Sequence, residues 1–193
     1  MEKNRLEAFS DGVLAIIITI MVLEMKVPHG ADLGALKPLF PVFLSYLLSF
    51  IYVGIYWNNH HHLIKACRHV NAAIMWANLH LLFWLSLLPF VTGWMGENHF
   101  TPLPTTLYSS VLLLAALAYY VLQTCIVAEL GRDSKLAASL GRDWKGKISL
   151  VLYLISIPIA FVHSSISNAI HVVVAILWLI PDRRIERIVR EAD

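Results

Sequence analysis

Charged positions divide this chain into long apolar runs. No Asp, Glu, Lys or Arg occurs in the 27 residues between Lys37 and Lys65, the 28 between Arg68 and Glu97, the 31 between Glu97 and Glu129, or the 34 between Lys147 and Asp182. A helix needs about 20 apolar residues, rising ~1.5 Å each, to cross the hydrocarbon of a bilayer. The first three runs therefore predict one spanning helix each, over 39–62, 70–94 and 104–128. An earlier run, 6–25, predicts another, with Ser10 and Asp11 inside it. As a single helix the fourth run would be about 50 Å long, against a hydrocarbon core of about 30 Å. Its centre reads His163-Ser164-Ser165-Ile166-Ser167-Asn168, which suits a turn and a helix N-cap. It divides into helices over 146–162 and 166–183. The expectation is an all-α integral membrane protein, six transmembrane helices in one domain over 1–193.

Composition narrows the class further. Hydrophobic residues make up 58% of the chain and charged residues 15%, where soluble domains carry roughly 25% charge. Mean hydropathy is +0.67. An apolar chain with a net charge of only +2 is neither disordered nor basic enough to bind nucleic acid. Cys67 and Cys125 are too few for a disulfide framework and read as packing residues. Six spans with both termini cytoplasmic place Lys3, Arg5, Lys65, Arg68, Arg132, Lys135, Arg142, Lys145, Lys147, Arg183, Arg184, Arg187 and Arg190 inside. Only Lys26 and Lys37 then lie outside. This split is the one the positive-inside rule favours; a five-span chain would expose the four C-terminal arginines. The first five residues and the apolar run behind them imitate a secretory leader. Asp11 at the start of that run, and the lack of a small-residue cleavage site after Met25, favour a retained helix.

The first span holds the chemistry. Asp11 sits about one turn inside the membrane boundary, where a carboxylate is costly and is usually paired. Arg5 and the histidines near the inner end of the second span are its candidate partners, either in a polar clasp between helices or in a proton relay. Helical spacing puts Phe9, Gly12, Ile16, Thr19, Ile20 and Leu23 on one face, with Gly12 and Ala15 permitting close approach of another helix. The plain reading is that this face packs on neighbouring helices. The functional reading is that copies of the helix surround an axis. Ile16, Ile20 and Leu23 would then form apolar rings able to gate ions by dewetting, and Thr19 a ring of hydroxyls. A back-bond from Thr19 to the carbonyl of Ala15 is compatible with either.

Arg5, Phe9, Ser10, Asp11 and the following Ala15-Ile16-Ile17-Ile18-Thr19 resemble the R-x-x-x-F-S-D motif and pore helix of the potassium channels called transmembrane protein 175. Trp57-Asn58-Asn59-His60-His61, Asn78-Leu79 and Leu88-Pro89-Phe90 add to the likeness. The resemblance implies a cation channel favouring potassium. Animal members of that family carry two six-span repeats and pair as dimers. One repeat implies the prokaryotic form, a homotetramer in the cell membrane. It further implies Ile16 as the constriction, Thr19 as the threonine layer, Ile20 and Leu23 as further apolar pore positions, and Arg5, Ser10, Asp11, Trp57, His60 and Asn78 as a buried polar network. The potassium filter Thr-Val-Gly-Tyr-Gly is missing. The nearest string, Val91-Thr92-Gly93-Trp94, lacks the pattern, so selectivity must come from pore width and a few oxygens, and is expected to be modest.

His60-His61-His62 with Cys67 invites a metal site, but consecutive helical residues diverge and at most two could share an ion. No metal beyond permeating K+, and no cofactor, is expected. Glu24 falls at the outer end, as a solvated helix end or, in several copies, as a cation-concentrating mouth. The six tryptophans read as interfacial anchors. The arginines at 183, 184, 187 and 190 form one basic face suited to anionic headgroups. The expected partners are further copies of the chain, the lipid bilayer and K+. The alternative function is a small proton-coupled transporter using Asp11 and His60. A membrane-embedded enzyme is disfavoured, because no nucleophile with a base partner accompanies these residues.

Overall fold

The computed structural model describes residues 2–131, 134 and 144–179, and helices dominate them. α1 spans Lys3–Leu23. A short 3₁₀ turn, Leu33–Leu39, capped by the Asp32 carboxylate accepting from the Ala35 N–H, leads into α2, Phe40–Ala66. The third span is two helices, α3 (Ala72–Ser86) and α4 (Leu88–Glu97). α5 is Pro102–Leu130, α6 is Trp144–Val162 and α7 is Ser164–Leu179. The six-helix, all-α expectation holds. Five segments are long and apolar enough to cross a membrane, and α7 contributes a sixth, shorter apolar helix. The expected end of the last span, 180–183, and the arginine-rich tail lie outside the described residues.

Local chemistry explains the breaks. Pro89 has no N–H to give Leu85 and its ring crowds the preceding turn. The helix therefore stops at Leu87, and α4 restarts with proline near its first position, where a missing N–H costs nothing. After α4 the chain reverses through His99 (φ 52°) and Phe100 (φ 58°). Their N–H groups return to the Gly96 and Met95 carbonyls and close the helix end. Between α6 and α7 the break falls at His163, whose carbonyl accepts from the Ile166 and Ser167 N–H groups of the new helix.

α5 lies centrally, packed on α3, α4, α6 and α7, whereas α1 packs on α2, α3 and α4 at the rim. The apolar core runs through all seven helices and includes Leu14, Ile17, Tyr52, Leu81, Leu112, Leu122 and Val174. Threaded through it are hydrogen bonds between side chains of different helices. Ser49 of α2 meets both Thr92 of α4 (2.7 Å) and the Tyr108 hydroxyl of α5 (3.0 Å). Ser109 of α5 meets the His171 ring of α7 (2.8 Å), and the Tyr52 hydroxyl donates to the His171 carbonyl (2.6 Å). Helices in hydrocarbon gain little from apolar burial against one another, so packing and such bonds fix their arrangement. Close approach does the same at Gly96, where a Cβ would fall 2.7 Å from the Val42 Cα and closer still to the Ser45 hydroxyl.

Candidate functional site

α1 has two faces of different use. Leu6, Ser10, Leu14, Ile17 and Met21 are buried against the protomer. Phe9, Gly12, Ile16, Thr19, Ile20 and Leu23 are exposed. Ile16 is 57% and Leu23 78% accessible, as open as outward-facing apolar residues on the other helices, such as Leu154 at 60%. Nothing in the protomer lies within 4 Å of a Cβ placed on Gly12. The stripe identified from spacing is therefore left outside its own subunit's core. Thr19 back-bonds to the carbonyl of Ile16 at 2.8 Å rather than to that of Ala15, and its hydroxyl stays on the exposed face.

At the other side of α1, near its N-terminal end, polar groups from three helices meet. Ser10 gives its hydroxyl proton to the Leu6 carbonyl (2.8 Å) and accepts from Asn78 Nδ2 (2.9 Å). Asn78 Oδ1 lies 2.7 Å from His60 Nε2. Serine, asparagine and histidine are all essentially inaccessible, so α1, α2 and α3 are joined by a dry relay. Asp11 forms a separate contact, its carboxylate accepting from Trp57 Nε1 at 3.0 Å. Arg5 belongs to neither set; it is exposed on the first turn. Positions 5 and 11 are six apart and lie on different helix faces, so Trp57 partners Asp11 instead.

The consecutive histidines diverge. His60 faces Asn78, while His61 Nδ1 approaches Glu7 at 2.8 Å and stacks on Trp57. Lys3 donates to the Lys65 carbonyl at 2.8 Å, where a cation suits the C-terminal end of α2. Sequence reasoning overlooked both of these ties between α1 and α2; the signal for the first was an acid and a base, Glu7 and His61, at facing helix ends, while the second, to a backbone carbonyl, carried none.

At the opposite end of α1, Glu24 is exposed, and its side chain lies along Gly93 of α4, whose added Cβ would sit 3.6 Å from Oε2. Lys26 and Glu97 pair nearby at 2.9 Å. That hydrogen bond and charge hold the Lys26 ammonium above the usual lysine range. The string Val91–Trp94 is helical, and Thr92 spends its hydroxyl on Ser49; it presents no loop of carbonyls to an ion.

These features define an integral membrane protein whose first helix keeps an apolar stripe free on one side and is tied to its own subunit by polar groups on the other. A family model described as "Endosomal/lysosomal potassium channel TMEM175" matches residues 5–89, the segment that contains both. A potassium channel of Chryseobacterium sp. (strain P1-3) is 51% identical over 191 residues, covering 99% of this chain and 100% of that one. The crystal structure of a lysosomal potassium-selective channel TMEM175 homolog from Chamaesiphon minutus superposes with a TM-score of 0.82 at 27% identity. It covers 92% of this chain and 96% of the other. The human endosomal/lysosomal proton channel TMEM175 is 36% identical over 101 residues, 46% of this chain and 20% of that one. The chain belongs to the TMEM175 channel family, an ion-channel family and not an enzymatic class.

Proposed function

We propose that this protein is a potassium-permeable channel of the cell membrane, assembled as a homotetramer with both termini cytoplasmic, in which ions pass along a shared axis lined by α1. Ile16 forms the narrowest ring, Ile20 and Leu23 extend the apolar passage, and Thr19 supplies hydroxyl oxygens that replace part of an ion's hydration. Ser10, Asn78 and His60, with Asp11 and Trp57, hold α1 against its own subunit, and Arg5 completes the inner rim. Glu24 lies at the outer mouth. The permeant K+ is cargo; the mechanism requires no cofactor.

The observation that carries this reading is the exposure of Ile16, Thr19, Ile20 and Leu23 on the side of α1 turned away from its core. An apolar ring blocks ions when water leaves it, because the ion cannot shed its hydration shell there; widening the ring or making it polar restores a wet path. The position of lysines and arginines supports the orientation. The test is flux from liposomes containing only the purified protein, alongside the mass of the assembled particle. K+ efflux through single-channel steps is expected, and Ile16→Asn should raise conductance and lower the K+/Na+ ratio. An unchanged ratio would remove Ile16 from the constriction. Because the animal relatives are named as proton channels, proton flux belongs in the same assay. Saturable, proton-coupled flux without unitary steps would instead favour transport at Asp11 and His60.

A further inference from the structure

A cavity of about 530 Å³, open along one side, lies between α2, α5, α6 and the end of α7, away from the stripe on α1. Tyr52, Tyr56 and Tyr153 form much of its wall, and Trp178 closes one side. The volume is that of a drug-sized ligand site, and aromatic walls with a few polar groups are the usual make-up of one.

Two of the polar groups are without partners. Gln123 on α5 is 5% accessible and Tyr56 on α2 is 9%. Among the described residues, neither the Gln123 amide nor the Tyr56 hydroxyl makes a hydrogen bond, although the same helices satisfy comparable groups nearby. The Trp178 indole, for example, donates to Ser149 at 2.9 Å, and the Tyr119 hydroxyl to the Asn59 carbonyl. Neither Gln123 nor Tyr56 is among the polar groups sealed from solvent without a partner, so both reach the open space of the cavity, where an amide's donors and acceptors can take water or a ligand. Among the described lining residues, charge comes from Lys147 alone, in the first turn of α6, so the site is cationic at one end and aromatic through its body. That polarity matches an amphiphile lying with its head toward the helix ends and its chain toward the membrane middle.

We infer that this cavity binds an amphiphile with an anionic head, a carboxylate or phosphate, which meets Lys147 while Gln123 and Tyr56 hydrogen-bond to oxygen at the neck and the chain lies among the aromatic rings. The head group can come from a free fatty acid or from an anionic phospholipid. Trp178 makes the site observable. In nanodiscs of neutral lipid, a mid-chain-brominated fatty acid should give a saturable component of tryptophan quenching that Trp178→Phe removes. Gln123→Leu should weaken it about tenfold, the scale of a lost hydrogen bond to a polar head. Lys147→Gln should weaken the acid about as much yet leave the matching brominated alcohol unchanged. Brominated phosphatidylglycerol giving the same component, competed by the acid, assigns the site to membrane lipid; competition without that component assigns it to free acid. Both results uphold the inference. Ala116→Phe, which fills the cavity, should abolish the component while the particle's elution volume stays that of the parent. Absence of any saturable component, or one indifferent to Gln123→Leu and Ala116→Phe, overturns it. Neither result depends on ion flux.

Discussion

Asn78→Leu is the most informative single change to the polar relay. Asn78 is fully buried and spans two interhelical contacts, donating to Ser10 of α1 at 2.9 Å and reaching His60 of α2 at 2.7 Å. Leucine is close in size, so cavity formation contributes little. Hydrogen bonds between membrane helices average ~0.6 kcal/mol and reach ~1.7, which gives about 1–2 kcal/mol for the pair. The larger cost falls on His60. Its Nδ1 has no hydrogen-bond partner, so losing Asn78 leaves the whole ring unsatisfied in a dry site, adding about 1–3 kcal/mol. The sum is about 2–5 kcal/mol. Ser10→Ala leaves the Asn78–His60 contact intact and should cost only about 1–2 kcal/mol. The double variant should then be barely worse than Asn78→Leu alone, because Ser10 acts through Asn78. Reversible unfolding in bicelles by steric trapping measures all three. A loss below about 0.5 kcal/mol for Asn78→Leu, or additive losses in the double variant, would refute the idea that this relay fastens α1 to α2 and α3.

Gly12→Leu separates the two uses of the exposed stripe. The subunit offers nothing within 4 Å of a Cβ at this position, and Gly12 is exposed, so the monomer should fold normally. If α1 faces its copies, the particle mass or the K+ flux must change, and a tetramer of unaltered conductance would place the stripe in lipid. Gly96→Val should cost about 1–3 kcal/mol by overpacking, toward the upper end because the obstacle is the Val42 backbone. Gly54→Ala, with open space around it, serves as the control and should be neutral or mildly stabilising in the same unfolding assay. The Lys26–Glu97 pair is exposed and its contribution small. Since Glu97 raises the Lys26 value, what the pair contributes is fully present below the ordinary lysine range and is lost as pH climbs past it. Lys26→Met should lower stability at neutral pH only slightly, and that small difference from the parent should shrink above about pH 11. A large neutral-pH loss would show that this pair anchors the α1–α4 corner.

How much of this was legible beforehand differs by feature. Apolar runs bounded by charge show the helices, because a backbone in hydrocarbon must satisfy its own N–H and C=O groups and a spanning helix is the simplest way to do so. The stripe on α1 was readable for a similar reason: a period of 3.6 residues sorts side chains into faces whatever surrounds them. The break at Leu87 carried a signal in Pro89, yet the run 70–94 reads as continuous because its hydropathy does not falter there. The contacts of Ser49, Thr92, Tyr108, Ser109 and His171 could not be paired from spacing. Their partners lie 43 to 62 positions apart, and only the packing of α5 among its neighbours brings them together.

The same division holds for the site. Sequence alone determined that α1 has a greasy face, that Asp11 sits at membrane depth and that no loop of filter carbonyls is encoded, because composition and helical period are local properties. Tertiary structure decided which face of α1 the subunit keeps for itself, that Asp11 takes Trp57 rather than Arg5, that the three histidines part company, and that Glu24 lies along α4. Those outcomes depend on how helices far apart in the chain are rotated against one another, and that rotation is set by packing and hydrogen bonds between them, not by any one helix.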